Sequence, residues 1–236
     1  MSTPTLQEQF GQIDIYLFDQ LLKGRITPGM TILDAGCGGG RNIIYFLREG
    51  YEVFGADADA RTVEGIRALA RQLAPGRPAE EQSAAGTKDG AEHITADVAA
   101  ERFRVEPVER MSFDAACADV VICNTVLHFA RDDAHFEAML MGCWRVLKPG
   151  GLFFCRLGST IGMESRVERI NKSDEMSDEK SRRYKSPDGA ERYLVDEALL
   201  VAHTARLGGE LADPLKTTVV QDLRAMTTWV LWKKLP

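Results

Sequence analysis

The chain has 236 residues, 44% of them apolar and 27% charged, which supplies a substantial core and excludes a disordered or collagen-like protein. Its 29 Lys and Arg against 35 Asp and Glu leave a formal charge of −6, so the surface as a whole repels a phosphate backbone and no nucleic-acid partner is expected. At roughly 150 residues per domain, length alone allows one large α/β unit or two small ones.

In chain order, Phe10, Ile13, Leu17, Phe18 and Leu21 recur at helical spacing before Lys23-Gly24, which predicts an N-terminal helix over 6–24. Met30 to Ala35 reads as a buried strand running into Gly36-Cys-Gly-Gly-Gly40, followed by a helix on Ile43, Ile44, Phe46 and Leu47 that Gly50 closes. Tyr51 to Ala56 is a second strand ending at Asp57, and Val63, Ile66, Ala70 and Leu73 mark the next helix. Residues near 75–101 lose any period and read as an insertion. Phe103 to Val108 and Ala118 to Cys123 are the next strands. Asp132 or Asp133 then caps a helix whose Phe136, Met139, Leu140, Cys143, Trp144 and Leu147 share a face, and Pro149-Gly-Gly151 separates it from a strand at Leu152 to Arg156.

Residues 159–193 are densely charged and read as a solvated excursion or as a lid carrying Arg156, Arg183, Tyr184, Arg192 and Tyr193. A last helix on Val195, Leu199, Ala202 and Leu207 precedes a hairpin of Lys216 to Val220 and Thr227 to Trp232. Such alternation implies a largely parallel sheet covered on both faces. The five cysteines, Cys37, Cys117, Cys123, Cys143 and Cys155, form no Cys-x-x-Cys pair, so reduced thiols and no metal site are expected. No apolar run nears the ~20 residues of a membrane span, and the N-terminus lacks the regions of a signal peptide, so a cytoplasmic protein without a membrane partner is expected.

The chemistry concentrates in Ile32-Leu-Asp-Ala-Gly-Cys-Gly-Gly-Gly-Arg-Asn42. A glycine turn between a buried strand and a helix lets a ligand approach the backbone and its free amides, the arrangement of a nucleotide-type cofactor site. A dinucleotide fingerprint requires a third glycine where Arg41 stands. Asp57, 21 positions after Gly36, is placed either to accept both ribose hydroxyls or to cap the following helix, a task for which Asp59 is better positioned.

Leu33-Asp-Ala-Gly-Cys-Gly-Gly-Gly40 resembles the first motif of class I S-adenosylmethionine-dependent methyltransferases of the type 11/25 kind, and Phe54-Gly-Ala-Asp57 resembles their acidic second-strand end. Glu109-Arg-Met-Ser-Phe113 with Ala118-Asp-Val-Val121, and Trp144-Arg-Val-Leu-Lys-Pro-Gly-Gly151, are similar to their later segments. The resemblance covers most of residues 30–158 and the C-terminal hairpin. It implies an α/β fold, a three-layer Rossmann-like sandwich with a seven-stranded, mostly parallel sheet in order 3-2-1-4-5-7-6 and an antiparallel last strand, in one domain over 1–236. It further implies that Gly36, Cys37 and Gly38 line the methionine part of the cofactor with Asp34 near its ammonium, and that Asp57 binds the ribose. Ala58 then flanks the adenine, Val108 and Glu109 meet its polar edge, and Asn124 and Thr125 lie below the sulfonium. One departure is Pro107, where the family often carries an acid.

The implied activity is methyl transfer from S-adenosyl-L-methionine to a small-molecule acceptor. Asn124-Thr-Val replaces the Asn-Pro-Pro-aromatic arrangement of the family's nucleobase and glutamine enzymes. Gly40-Arg-Asn42 with Gly50-Tyr51 is similar to small-molecule and oxyanion methyltransferases, including those of tellurite resistance. His128 reads as a general base or as a packed structural histidine, and Arg224 as a contact for an anionic acceptor or a partner for a carboxylate. Two other functions share these features: a nicotinamide-dependent oxidoreductase and a non-catalytic S-adenosylmethionine-binding module.

Overall fold

The computed structural model describes residues 5–73, 96–170 and 182–235. They group into two compact units, Met1–Pro107 and Val108–Pro236. Most of the expected insertion near 75–101 and the middle of the 159–193 segment lie outside the described residues.

The first unit begins with two helices, α1 (Leu6–Phe10) and α2 (Ile15–Leu22), in place of the single helix expected over 6–24. Two local signals override the apolar period. Gly11 adopts φ 61° at the end of α1, and Asp14 caps α2 by accepting the Tyr16 amide at 2.9 Å. Thr5 and Glu8 close a capping box at the other end of α1. Phe10 stacks on Tyr45 with ring centroids 4.8 Å apart and meets Phe18 edge-on. These rings hold the helix pair to α3 (Ile44–Arg48).

Strands β1 (Thr31–Ala35), β2 (Glu52–Asp57) and β3 (Phe103–Val105) are parallel in the order β3-β2-β1. All five residues of β1 are buried, as expected of a parallel strand covered on both faces. Helix α4 (Ala60–Leu73) buries Val63, Ile66 and Ala70 along one stripe, and its Arg67 donates twice to the Phe103 carbonyl at the start of β3. The end of the supposed insertion is helical, α5 (Ala96–Arg102). Strand β3 stops before the expected Val108 because Pro107 has no amide for the ladder, and Val108–Arg110 forms one 3-10 turn.

In the second unit, β4 (Ala118–Asn124) runs parallel to β5 (Leu147–Ser159), which pairs antiparallel with β11 (Arg224–Lys233), itself antiparallel to β10 (Lys216–Val220). The order β4-β5-β11-β10 is the 4-5-7-6 half of the expected arrangement, as β3-β2-β1 is the 3-2-1 half. An additional strand, β9 (Gly209–Leu211), also pairs with β11. Strand β5 starts at Leu147, before the predicted Leu152. Register jumps from Ala118↔Leu147 to Val120↔Leu152, so Pro149-Gly-Gly151 bulges from the strand and does not precede it.

Helix α6 (Asp133–Val146) is capped by Asp132, which accepts the His135 amide at 2.7 Å, and buries the predicted face. Helix α7 (Glu197–Arg206) buries Leu200 and Thr204, whereas the predicted Ala202 is exposed. The cause is Trp229. Its indole N–H donates to Thr204 Oγ1 at 3.0 Å, which sets the Thr204 side of α7 against the sheet, and the ring meets Phe153 edge-on.

The described part of 159–193 is no solvated excursion. Strands β6 (Glu168–Arg169), β7 (Arg183–Lys185) and β8 (Glu191–Tyr193) form a small antiparallel sheet. Tyr184 is buried with its hydroxyl accepting from Arg169, and Tyr193 is buried in a stack on Phe136 at 4.8 Å. Arg183 donates to the Ala130 carbonyl. Among the described residues no helix is long and apolar enough to cross a membrane, and none of the five cysteines is in a disulfide.

Candidate functional site

The glycine turn of the first unit is tied to the end of β2 by its own backbone. Both the Gly36 and Cys37 amides donate to the Ala56 carbonyl, at 2.8 and 3.0 Å, and the Gly38 amide donates to Asp57 Oδ2 at 2.9 Å. Gly36, Gly38 and Gly40 take φ of 79°, 49° and 77°, values an L side chain rarely adopts. A Cβ on Gly38 or Gly39 would meet nothing within 4 Å, so this stretch of backbone borders open space. A Cβ on Gly40 would lie 1.9 Å from Ile66 Cδ1. Gly40 thus lets the turn pack on α4, and Gly38 and Gly39 leave it accessible.

Asp57 is not the cap of α4. Its Oδ1 accepts the Asp59 amide at 3.0 Å, and Asp59 accepts the Thr62 amide at 2.7 Å as the actual cap. Each Asp57 oxygen therefore holds one backbone amide and keeps a further lone pair for a ligand hydroxyl. Ala58 is exposed beside it. Asp34, at the end of β1, is 2% exposed. Burial pushes its carboxyl up to about 7, against the opposing charge of Arg41 and with a small contribution from Asp57. The same burial raises the Cys37 thiol and keeps it protonated and unreactive. Asn42, next to the turn, accepts the Asp14 amide at 3.1 Å and anchors the start of α2.

In the second unit, Asn124 ends β4 with its side chain buried, and neither Oδ1 nor Nδ2 has a hydrogen-bond partner among the described residues. Thr125 follows at φ 64°, held there by its amide donating to the Arg156 carbonyl at 2.7 Å. For a threonine this conformation is strained by about 1–2 kcal/mol, a common mark of ligand sites. Val108 is buried with its carbonyl against α6, where a Cβ on Gly142 would come within 2.3 Å of it. Glu109 lies 3.4 Å from His135 Nε2. The structure thus brings Gly36, Cys37, Gly38 and Asp57 together in one unit, beside Asp34 and Ala58. It places Asn124 and Thr125 at one strand end of the other unit, with Val108 and Glu109 on its 3-10 turn.

His128 is 5% exposed in the 3-10 turn Leu127–Phe129, and its Nδ1 accepts the Gly158 amide at 3.2 Å. That bond puts the ring proton on Nε2. Burial, reinforced by the charges of Arg192 and Arg224, lowers its pKa to about 4. Of the two sequence readings, this geometry fits a packed neutral imidazole. Arg192 forms a two-pronged pair with Asp188. The buried hydroxyl of Thr228 also lacks a hydrogen-bond partner among the described residues. Sequence reasoning does not find it, because its place beside Arg156 follows only from the pairing of β11 with β5.

The profile of a family described as "Methyltransferase domain" matches residues 33–155. Among curated proteins, the ubiquinone biosynthesis O-methyltransferase of Cereibacter sphaeroides is 33% identical over 139 residues, 58% of this chain and 45% of that protein. The ribosomal RNA small subunit methyltransferase B of Xanthomonas campestris pv. campestris is 24% identical over 159 residues, 61% of this chain and 33% of that protein. The matches therefore span less than half the length of these relatives. Among solved structures, the Burkholderia thailandensis 1,6-didemethyltoxoflavin-N1-methyltransferase, with bound S-adenosylhomocysteine, superposes with a TM-score of 0.59 over 92% of this chain and 76% of its own, at 18% identity. At that identity the likeness is one of fold.

Proposed function

The chain belongs to the methyltransferase-domain family, and from that premise we propose that it transfers a methyl group from S-adenosyl-L-methionine to a small-molecule acceptor. The observation that carries this reading is the glycine turn whose Gly38 amide is held by Asp57. Such a cradle fits the cofactor. The open backbone at Gly38 and Gly39 admits the amino-acid part, the buried Asp34 carboxylate suits an ammonium, and Asp57 retains lone pairs for two ribose hydroxyls. In this reading Gly36, Cys37, Gly38, Asp34, Asp57 and Ala58 are candidate cofactor residues within the first unit. Val108, Glu109, Asn124 and Thr125 are candidates within the second.

When bound, the cofactor supplies an electrophilic methyl on a sulfonium, and the protein's task is to hold the acceptor in line and dry. His128 acts in this scheme as a fixed donor through Nε2–H, since a ring of pKa about 4 is a poor proton acceptor at neutral pH. A small acceptor is favoured by the net charge of −6. A relative named for a quinone and a fold neighbour named for a small heterocycle point the same way, while a relative named for ribosomal RNA makes RNA the alternative to test.

Calorimetric titration with S-adenosylhomocysteine and with NAD tests the reading directly. Binding of the first and not the second is expected, and Asp57→Ala should weaken it at least ~10-fold, as loss of hydrogen bonds to a charged group does. Binding of NAD alone would establish the oxidoreductase instead. Labelled-methyl transfer to a metabolite extract but not to ribosomal RNA is the expected activity, and cofactor binding without transfer to either would establish the non-catalytic module.

A further inference from the structure

One sheet face of the second unit collects polar groups that the fold leaves unused. Side chains alternate along a strand, and neighbours in register point to the same side. Asn124 pairs with Arg156, Arg156 with Thr228, and Gly158 with Met226. Asn124, Arg156, Gly158, Met226 and Thr228 therefore share a face at the carboxyl ends of β4 and β5. Arg224, two residues before Met226 at the start of β11, falls on it as well.

His128 lies over the same face, its Cβ 3.5 Å from the position a Gly158 Cβ would take. Asn124 Oδ1, Asn124 Nδ2 and Thr228 Oγ1 are buried on this face without a hydrogen-bond partner among the described residues. Leaving such atoms unsatisfied costs about 1–3 kcal/mol each, which points to a ligand that satisfies them. The charge around them is positive. Asp188 pairs with Arg192 and also feels the charge of the exposed Arg224, so one carboxylate answers two guanidiniums. The His128 ring, fixed by Gly158 with its proton on Nε2, adds a neutral N–H donor and no acceptor.

We propose that this face binds the methyl acceptor and selects an anionic one, with Arg224 and His128 Nε2–H holding an oxyanion while Asn124 and Thr228 hydrogen-bond the remainder of the molecule. The inference rests on the methyltransferase reading and narrows its substrate class. A carboxylate and an inorganic oxyanion present the same chemistry to these groups, and the experiment separates them.

A bacterial metabolite extract is divided on a strong anion exchanger before the assay. The full chain is incubated with each fraction and methyl-labelled cofactor, with S-adenosylhomocysteine affinity measured in parallel. Label is expected only with the anion-retained fraction, and mass spectrometry of the labelled product separates a methylated organic acid from a methylated inorganic oxyanion. Arg224→Gln should raise KM for that fraction at least ~5-fold with kcat and S-adenosylhomocysteine affinity unchanged, and Arg224→Lys should restore part of the loss. The isosteric Thr228→Val should raise KM in the same way without altering the melting temperature by more than ~2 °C. Label from the unretained fraction, no label from either, or a smaller KM change in Arg224→Gln overturns the proposal. Failure to bind S-adenosylhomocysteine overturns the methyltransferase reading itself, and the anion proposal falls with it.

Discussion

Replacing Asp34 with Asn tests whether the buried carboxylate at the end of β1 is built for a cation. Burial lifts this group from its ordinary 3.8 to about 7. At about 1.4 kcal/mol per pH unit, the ligand-free fold disfavours the carboxylate by up to about 4 kcal/mol. The sign follows from proton binding. Between 3.8 and about 7 the folded chain holds a proton that the unfolded chain has released, so this group's contribution to stability falls as pH rises through that window. Asparagine carries no charge at either end of the window. Asp34→Asn should therefore gain stability over wild type between pH 5 and pH 8, read as a difference in thermal melts. An ammonium docking beside the carboxylate reverses the preference. S-adenosylhomocysteine should bind wild type more tightly at pH 8 than at pH 6 and release a proton near neutrality, measured by calorimetry in buffers of different ionisation heat. The variant should lose both the proton release and most of the affinity. Equal wild-type affinity at pH 6 and pH 8, or proton uptake on binding, would refute the assignment of Asp34 to a cation.

Glycine substitutions separate packing from conformational freedom. Gly142→Ala drives a Cβ to 2.3 Å from the Val108 carbonyl, and Gly40→Ala combines a 1.9 Å approach to Ile66 with φ 77°, so each should cost about 2–4 kcal/mol in chemical denaturation. Gly65→Ala, exposed within α4 with nothing within 4 Å of the new Cβ, should stabilise by about 0.5–1 kcal/mol. His128 titrates at about 4 when folded against an ordinary 6.5, so its contribution is complete above pH 6.5 and is lost as pH falls toward 4, by up to about 3 kcal/mol. Imidazole NMR shifts should show a single neutral tautomer between pH 5.5 and 8, and a charged ring at pH 6 would contradict the packing described for it.

The parts legible in the sequence are those whose signals are local and agree with one another. Strand β1 runs apolar into glycines, α4 repeats Val63, Ile66 and Ala70 on one stripe, and Asp132 caps an α6 whose buried face repeats at helical spacing. Where two signals compete, the pattern misleads. The apolar period from Phe10 to Leu21 passes through Gly11 and the Asp14 cap, and the backbone follows the cap and the glycine. The charged 159–193 segment conceals a sheet because its few apolar anchors, Tyr184 and Tyr193, are spent one per strand against Arg169 and Phe136. Composition averages over such pairs and reports only the arginines.

The cofactor cradle and the acceptor face differ in legibility for a related reason. In the cradle, Gly36 to Gly40 make a contiguous turn whose hydrogen bonds reach Ala56 and Asp57, the last two residues of the next strand, a parallel neighbour in register. A reader of the chain can therefore place it. The acceptor face depends on residues about a hundred positions apart, Asn124 and Thr228, brought to one side by two successive pairings, one parallel and one antiparallel. A shift of one residue in either ladder would send Thr228 to the opposite face, where Trp229 now packs on Thr204 and Phe153. The sheet register is thus held by the burial of Trp229, and the polar face inherits its composition from that register. Substituting Trp229 should consequently disturb acceptor KM through Thr228 and Arg224 while leaving the first unit's affinity for S-adenosylhomocysteine intact, a separation that a change in KM without a change in cofactor binding would reveal.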